Sequence, residues 1–168
     1  MAHANQKHTN QTPSNAQLKS ALSLIAAEIA RGPLRSSSLS KIMRDTFGGS
    51  DASGAWSWRM AYDMMQAAAV QAILTDASGS DPLGDAKNLA TRLLTETRRS
   101  EQQIRLQQFS TPLLYATLAV RAAAIRNGET VLEPSAGTGS LAGLMKRAGA
   151  KLMLNEVDPF RQRLLDVV

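Results

Sequence analysis

Thr130-Val-Leu-Glu-Pro-Ser-Ala-Gly-Thr-Gly-Ser-Leu141 is the stretch that decides the fold predicted for this chain. It begins with residues that favour a β-strand, passes through Gly137 and Gly139, and continues into a sequence typical of a helix. The two glycines can adopt positive φ, and they let a ligand approach the backbone where a Cβ would collide. The helix N-terminus offers unpaired N–H groups and a partial positive charge. This order of elements indicates a nucleotide-binding site.

A second predicted strand ends in an acidic residue. Lys151-Leu-Met-Leu-Asn-Glu156 places Glu156 about seventeen residues beyond Gly139. A carboxylate at the end of the next strand is suited to accept hydrogen bonds from both hydroxyls of a ribose. Two strands, one glycine turn and one acid together predict an adenosine-binding site.

Other glycine-rich nucleotide sites fit this stretch less well. A P-loop requires Gly-Lys followed by Ser or Thr, and no Gly-Lys dipeptide occurs in the sequence. A dinucleotide fingerprint matches Gly137-Thr-Gly139 and Ala142 loosely, but it gives no reason for Glu133-Pro134 immediately before the turn.

Glu133-Pro-Ser-Ala-Gly-Thr-Gly139 strongly resembles the first motif of class I S-adenosylmethionine (SAM) methyltransferases, and more narrowly that of adenine-amino DNA methyltransferases. Glu156-Val-Asp-Pro159 resembles their second motif, and Gln108-Phe-Ser-Thr-Pro112 resembles the motif that closes over the methionine end of the cofactor. The resemblance implies that Glu133 lies near the methionine part, that Glu156 holds the ribose and that Val157 lies against the adenine. The residues implied to bind SAM are Phe109, Ser110, Thr111, Glu133, Ser135, Ala136, Gly137, Thr138, Gly139, Glu156 and Val157.

A narrower resemblance covers the chain from about Leu39 to its C-terminus. Residues 97–112, together with Phe47-Gly-Gly-Ser-Asp-Ala-Ser-Gly-Ala-Trp56 and Ala61-Tyr-Asp63, resemble strawberry-notch-type methylase–helicase proteins of mobile genetic elements. In that family a methyltransferase-like region precedes a superfamily 2 helicase, and this sequence has no Walker motif. The expected partners are therefore DNA, a missing C-terminal methyltransferase and helicase portion, or a host protein.

The predicted fold is α/β: an N-terminal α-helical leader and the first β-α-β part of an incomplete Rossmann-like class I methyltransferase fold. The expected divisions are a disordered tail (1–14), a helical leader domain (15–96), a linker with the cofactor-lid motif (97–110) and a truncated SAM-methyltransferase-like β-α-β region (111–168). Only two strands of a larger sheet are predicted, so their open edges are a route to homo-oligomers.

Apolar spacing predicts the individual helices. The predicted helices cover 15–30, 38–47, 53–74, 85–96, 111–126, 141–147 and 159–168. In the first of these, Leu18, Leu22, Ile25, Ala26 and Ile29 form one apolar face. Trp56, Trp58 and Tyr62 could stack on unpaired bases, but core or domain contacts are the favoured interpretation.

Composition limits the other classes of function. The chain has 168 residues, no cysteine and a net charge of +5, which permits contact with nucleic acid without demonstrating it. Arg98, Arg99 and Arg105 are candidates to contact phosphates, and the alternative is the solvated side of a linker. The two histidines, His3 and His8, have no acidic cluster near them, so no metal site is predicted. No membrane span or signal peptide is predicted, and the expected location is the cytoplasm.

No catalytic residue is assigned. The catalytic element of the family that this chain resembles is Asp, Asn or Ser followed by Pro-Pro and an aromatic residue, and no Pro-Pro occurs here. We therefore expect SAM binding, retained or vestigial, without methyl transfer by this chain alone. Two alternatives stay open: a short phage or plasmid interaction protein that binds DNA or inhibits a defence system, and a fragment that needs the rest of its chain.

Overall fold

The chain is folded mainly into helices. The computed structural model describes residues 12–75, 81–97, 104 and 109–167. Within these residues there are seven helices and two strands. In chain order they are α1 (Asn15–Arg31), α2 (Ser36–Phe47), α3 (Trp58–Thr75), α4 (Pro82–Ala90), α5 (Leu113–Ala123), β1 (Thr130–Glu133), α6 (Ser140–Arg147), β2 (Lys151–Leu154) and α7 (Pro159–Val167).

The predicted α/β class is wrong. Helices make up 60% of the structure, and the strands found in the described residues, β1 and β2, have four residues each. They pair in parallel, with Thr130 opposite Lys151 and Glu133 opposite Leu154. A Rossmann-like fold requires several parallel strands buried on both faces, and a single pair of short strands does not provide them. The sequence located both strands, but the resemblance assigned them to a Rossmann-like fold, whereas the described residues are mostly helical.

Helix α1 forms for the reasons that its sequence indicates. Ser14 caps it: the Gln17 N–H donates to Ser14 Oγ (3.2 Å), and the Ser14 N–H donates to Gln17 Oε1 (2.9 Å). This reciprocal pair satisfies two otherwise unpaired backbone donors. The helix ends at Gly32. Four residues of the predicted apolar face are completely buried, which confirms that prediction: Leu18, Leu22, Ile25 and Ile29.

Helix α3 begins five residues later than predicted, at Trp58 instead of Ser53. Ser50 and Ser53 exchange backbone-to-side-chain hydrogen bonds of 3.0 and 3.2 Å, and this local turn competes with a helix start. The Trp56 indole N–H donates to Gly49 O (2.9 Å), and the ring is 4% exposed. Trp56 is therefore a core residue, as the favoured interpretation held, and it packs edge-on against Trp58.

Helices α4 and α5 also differ from the predictions in their boundaries. Helix α4 covers Pro82–Ala90 instead of residues 85–96, and its N-cap Asp81 accepts a hydrogen bond from the Gly84 N–H (3.0 Å). Leu93 and Leu94 still pack against the core, although they lie beyond the helix. Helix α5 ends at Ala123, because Ala124 adopts a left-handed conformation with φ of 48°.

Helix α3 lies at the centre of the core. Its buried residues pack with those of α1 and α2, and Leu164 of α7 is completely buried in the same cluster. Helix α6 also packs closely against α3: a Cβ built on Gly143 would overlap with Val70 Cγ1. Helix α3 therefore contributes to two apolar clusters, one with α1, α2 and Leu164 of α7, and a second in which Ile73 packs with Leu113 of α5 and Leu144 of α6.

The strand pair has one exposed apolar face. Leu132 of β1 lies opposite Met153 of β2 in the parallel register. Their side chains are 63% and 59% exposed, whereas the flanking Val131 and Leu152 are partly buried. Helix α6 contacts both strands. Because alternate residues of a strand face opposite sides, Leu132 and Met153 mark the side that α6 leaves uncovered.

Candidate functional site

The glycine turn lies between β1 and α6, where the sequence predicted it. Gly137 has φ of 57° and Gly139 has φ of 90°, so both adopt the left-handed conformation that glycine tolerates best. Helix α6 begins at Ser140, directly after the turn. A Cβ added at Gly139 would lie only 3.1 Å from Leu165 Cδ2, so packing also favours glycine there.

Glu156 follows β2 and reaches the glycine turn. Its Oε2 accepts a hydrogen bond from the Gly137 N–H (2.7 Å), and its Oε1 accepts one from the Asp158 N–H (2.8 Å). The carboxylate is thus fixed between two backbone donors from different segments of the chain. The structure brings together the predicted acid and the predicted turn, which are 19 residues apart.

The other predicted residues after the strands are placed less tightly. Glu133 is partly buried, and its Oε1 accepts a hydrogen bond from the Ser135 N–H (3.2 Å). This contact stabilises the local turn. It is a structural role that an acidic residue at the end of a strand can have. Ala136 and Thr138 are buried beneath the turn. Val157, next to Glu156, is 74% exposed and presents an apolar side chain at the same end of the strands.

Part of the segment that resembles the lid motif contacts the glycine turn. The hydroxyls of Ser110 and Thr138 are 3.3 Å apart, within hydrogen-bonding distance. Phe109 is 49% exposed, and Thr111 is exposed. The structure therefore joins this segment to the turn through Ser110, and the Phe109 ring keeps about half of its surface accessible.

Four charged residues beside the turn were not predicted. Arg59 and Asp63 of α3 meet Asp158 and Arg161 at the start of α7, and we call these four residues the charge network. Arg161 donates from Nε and Nη2 to Asp63 Oδ1 (3.1 and 2.8 Å), and Arg59 donates from Nη2 to Asp158 Oδ2. The side chains of Asp63 and Arg161 are 3% and 4% exposed. The available sequence signal was the pair Arg59 and Asp63, spaced i, i+4 within an otherwise apolar helix.

Burial and ion pairing shift the pKa values of the residues in the charge network in different directions. Burial raises the pKa of Asp63, and the hydrogen bond and charge of Arg161 offset this only in part. Burial also opposes charge on Asp158, but hydrogen bonds from Arg59 and from the Arg161 and Phe160 N–H groups lower its pKa below the ordinary value. For Arg161, burial is outweighed by the Asp63 carboxylate and nearby acids, so its pKa is raised.

Replacing Asp158 with asparagine is expected to cost about 1–3 kcal/mol of stability at neutral pH, because charge-assisted hydrogen bonds are lost. The pKa of Asp158 is lower in the folded chain than in the unfolded one. Its ionisation therefore contributes stability above about pH 4, and that contribution is lost as the pH falls through the folded pKa. Denaturant unfolding measured between about pH 3 and 7 should show a steeper acid loss in the wild type than in Asp158→Asn. Equal losses of stability at acidic pH in the two proteins would contradict the stabilising role of the Asp158 charge.

The remaining predicted contacts are not located. Arg98, Arg99 and Arg105 lie outside the described residues. Among the residues that the structure describes, no cluster of His, Cys, Asp and Glu could hold a metal ion, and no helix is long and apolar enough to cross a membrane. Two cavities lie away from the turn: one of about 790 Å³ between α1, α3 and α4, and one of about 580 Å³ beside Trp56 and Phe160.

Comparison with known proteins provides no further assignment. Models of protein families, curated proteins and solved structures all gave no match to this chain.

Proposed function

We propose that the glycine turn and Glu156 bind the adenosyl part of SAM. The observation that carries this proposal is the 2.7 Å hydrogen bond between the Gly137 N–H and Glu156 Oε2. It places a carboxylate beside a turn whose two glycines have positive φ. The same residues are those that the methyltransferase motifs assign to the cofactor.

The Glu156 carboxylate has the capacity for two further hydrogen bonds. Each of its oxygens accepts one backbone N–H, and each carboxylate oxygen offers two lone pairs. The remaining lone pairs can accept the 2′- and 3′-hydroxyls of a ribose. The side chain of Val157, 74% exposed, would then contact the adenine ring.

The methionine end of the ligand would lie toward Glu133 and the segment at Phe109, Ser110 and Thr111. Ser110 is already within hydrogen-bonding distance of Thr138 in the turn, so this segment is positioned to contact the same ligand.

SAM would supply an activated methyl group. No residue is assigned to its transfer, and the proposed activity is binding, with DNA contact through Arg98, Arg99 and Arg105 as part of the same proposal.

Calorimetric titration with SAM and with S-adenosylhomocysteine tests this proposal. We expect the wild-type chain to bind with micromolar Kd. Glu156→Ala should weaken binding about tenfold to a hundredfold, because hydrogen bonds to a charged group are worth about 1.5–3 kcal/mol.

Glu129→Ala is the matched control. Glu129 also accepts a hydrogen bond from a backbone N–H, that of Arg126 (2.9 Å), but it lies at the opposite end of β1. This variant has the same change of charge, and its Kd should stay within about twofold of wild type. A folded wild-type chain that shows no binding, or equal losses in the two variants, would contradict the proposal.

A second candidate is an interaction protein in which the glycine turn has only a structural role. The exposed pair Leu132 and Met153 favours it, because contiguous exposed apolar side chains often mark protein contacts. In that case the folded chain would bind neither SAM nor S-adenosylhomocysteine. The double variant Leu132→Ser with Met153→Ser would abolish the binding of a protein partner without lowering the stability of the chain.

A further inference from the structure

We infer that helix α3 belongs to the candidate site, with Asp63 as a positioning residue that acts through Arg161 on the glycine turn and Glu156. This inference rests on the proposed function. It assigns to the N-terminal helices a role in ribose recognition, in addition to their contribution to the core.

The first link runs from α3 to the glycine turn. Both Nε and Nη2 of Arg161 donate to Asp63 Oδ1, which fixes the plane and direction of the guanidinium group. The third nitrogen of that group, Nη1, then lies near the turn: it is 3.9 Å from the position that a Cβ on Gly137 would occupy. Arg161 Nη1 therefore lies near the residue whose N–H donates to Glu156.

The second link runs from α3 to the loop that carries Glu156. Arg59 donates to Asp158 Oδ2, and Asp158 Oδ1 accepts the N–H groups of Phe160 (3.0 Å) and Arg161 (3.1 Å). The Asp158 N–H in turn donates to Glu156 Oε1 (2.8 Å). Of the two backbone donors that hold the Glu156 carboxylate, one thus belongs to Asp158 of the charge network, and the other belongs to Gly137, near Arg161 Nη1.

This arrangement matters for ligand recognition because a carboxylate selects two ribose hydroxyls only when its oxygens are held in a fixed direction. Arg161 also places a positive charge near Glu156, and the Glu156 charge contributes to the raised pKa of Arg161. Loss of the Asp63 charge would leave Arg161 buried without its paired carboxylate. The guanidinium group would then shift, and the Glu156 carboxylate would no longer be held in a fixed position relative to the glycine turn.

The test measures recognition of the ribose hydroxyls separately from overall affinity. The probes are S-adenosylhomocysteine and its 2′,3′-dideoxy analogue, and the readout is the ratio of their two Kd values. We expect the wild type to prefer the hydroxylated ligand at least tenfold, and Asp63→Leu, which removes the oxygen that accepts both Arg161 hydrogen bonds, to reduce this preference to less than threefold. Circular dichroism confirms that each variant is folded.

Two further variants separate positioning from stability. Ile25→Val removes a methyl group from the core on α1, which contributes no member of the charge network; it should keep the wild-type ratio. The double variant Asp63→Leu with Arg161→Met replaces the buried pair with apolar side chains and leaves no unpaired charge, so it tests the inference if Asp63→Leu alone does not fold. It should also lose the preference.

The outcomes distinguish the inference from the proposed function. If the wild type binds and prefers the hydroxylated ligand, but the folded Asp63 variants keep the same ratio, the positioning role is overturned and the proposed function stands. If the wild type binds neither ligand, the positioning role and the proposed function are both overturned. A reduced ratio in Ile25→Val would show that the ratio follows stability, and that result would also overturn the positioning role.

Discussion

Replacing Arg161 with methionine is expected to lower the free energy of unfolding by about 3–5 kcal/mol, because the buried Asp63 carboxylate loses both of its hydrogen bonds from Arg161 and keeps the longer, 3.8 Å ion pair with Arg59. The Asp63 side chain is 3% exposed, and two hydrogen bonds from Arg161 reach its Oδ1. Urea unfolding followed by tryptophan fluorescence measures the loss, since the chain has two tryptophans.

Arg121→Met provides the control for this substitution. Arg121 is exposed in the last turn of α5, and its replacement should change the stability by no more than about 0.5 kcal/mol. Adding Asp63→Leu to Arg161→Met should recover much of the loss, because the unpaired buried charge is then gone. Equal small effects of the two arginine substitutions would show that the Asp63–Arg161 pair does not contribute to stability.

Replacing Gly143 with alanine is expected to destabilise the chain by about 1–3 kcal/mol, although alanine is normally the better residue within a helix by about 1 kcal/mol. The added Cβ would overlap with Val70 Cγ1, and a β-branched side chain in a helix has little freedom to rotate away. Helices α3 and α6 would have to separate. Denaturant unfolding measures the change.

Val70→Ala is the matched background for this test. Removal of the Val70 methyl groups makes room for the new Cβ, which would lie 3.7 Å from Val70 Cβ, an ordinary contact distance. In the Val70→Ala background, Gly143→Ala should therefore be neutral or stabilising. A double-mutant cycle with a coupling below about 0.5 kcal/mol would contradict the close contact between the helices.

Local features of this chain were well predicted from its sequence. The apolar spacing of α1 acts within a few residues, and this helix was located correctly. The glycine turn and the two strands were also located, because glycine placement and runs of β-forming residues are local signals. The start of α3 was misplaced where serine side chains bond to the backbone and compete with the helix.

The fold class was wrong for a different reason. A motif of strand, glycine turn and helix describes about thirty residues, whereas the number of strands in a sheet depends on the rest of the chain. The resemblance assigned the two strands to a larger Rossmann-like sheet, whereas the structure of the described residues contains only β1 and β2. Most of the buried apolar residues instead belong to the helices, with α3 at the centre.

The candidate site was predicted only in part. Glu156 and Gly137 could be paired because the spacing of consecutive strands and turns is regular. The charge network could not be predicted, since Asp63 and Arg161 are 98 residues apart and nothing in the local sequence of either residue specifies the other. A buried acid within the apolar stretch of α3 indicates that a partner exists, but not where it lies.

The long separation between Asp63 and Arg161 also affects the order in which the chain folds. Helices α1, α2 and α3 contact one another and are close in sequence, so they can associate early with little loss of chain entropy. The Asp63–Arg161 contact has to close a loop of nearly one hundred residues before it contributes any stability. We therefore expect the Asp63–Arg161 contact to be among the last to form during refolding, after the association of α1, α2 and α3.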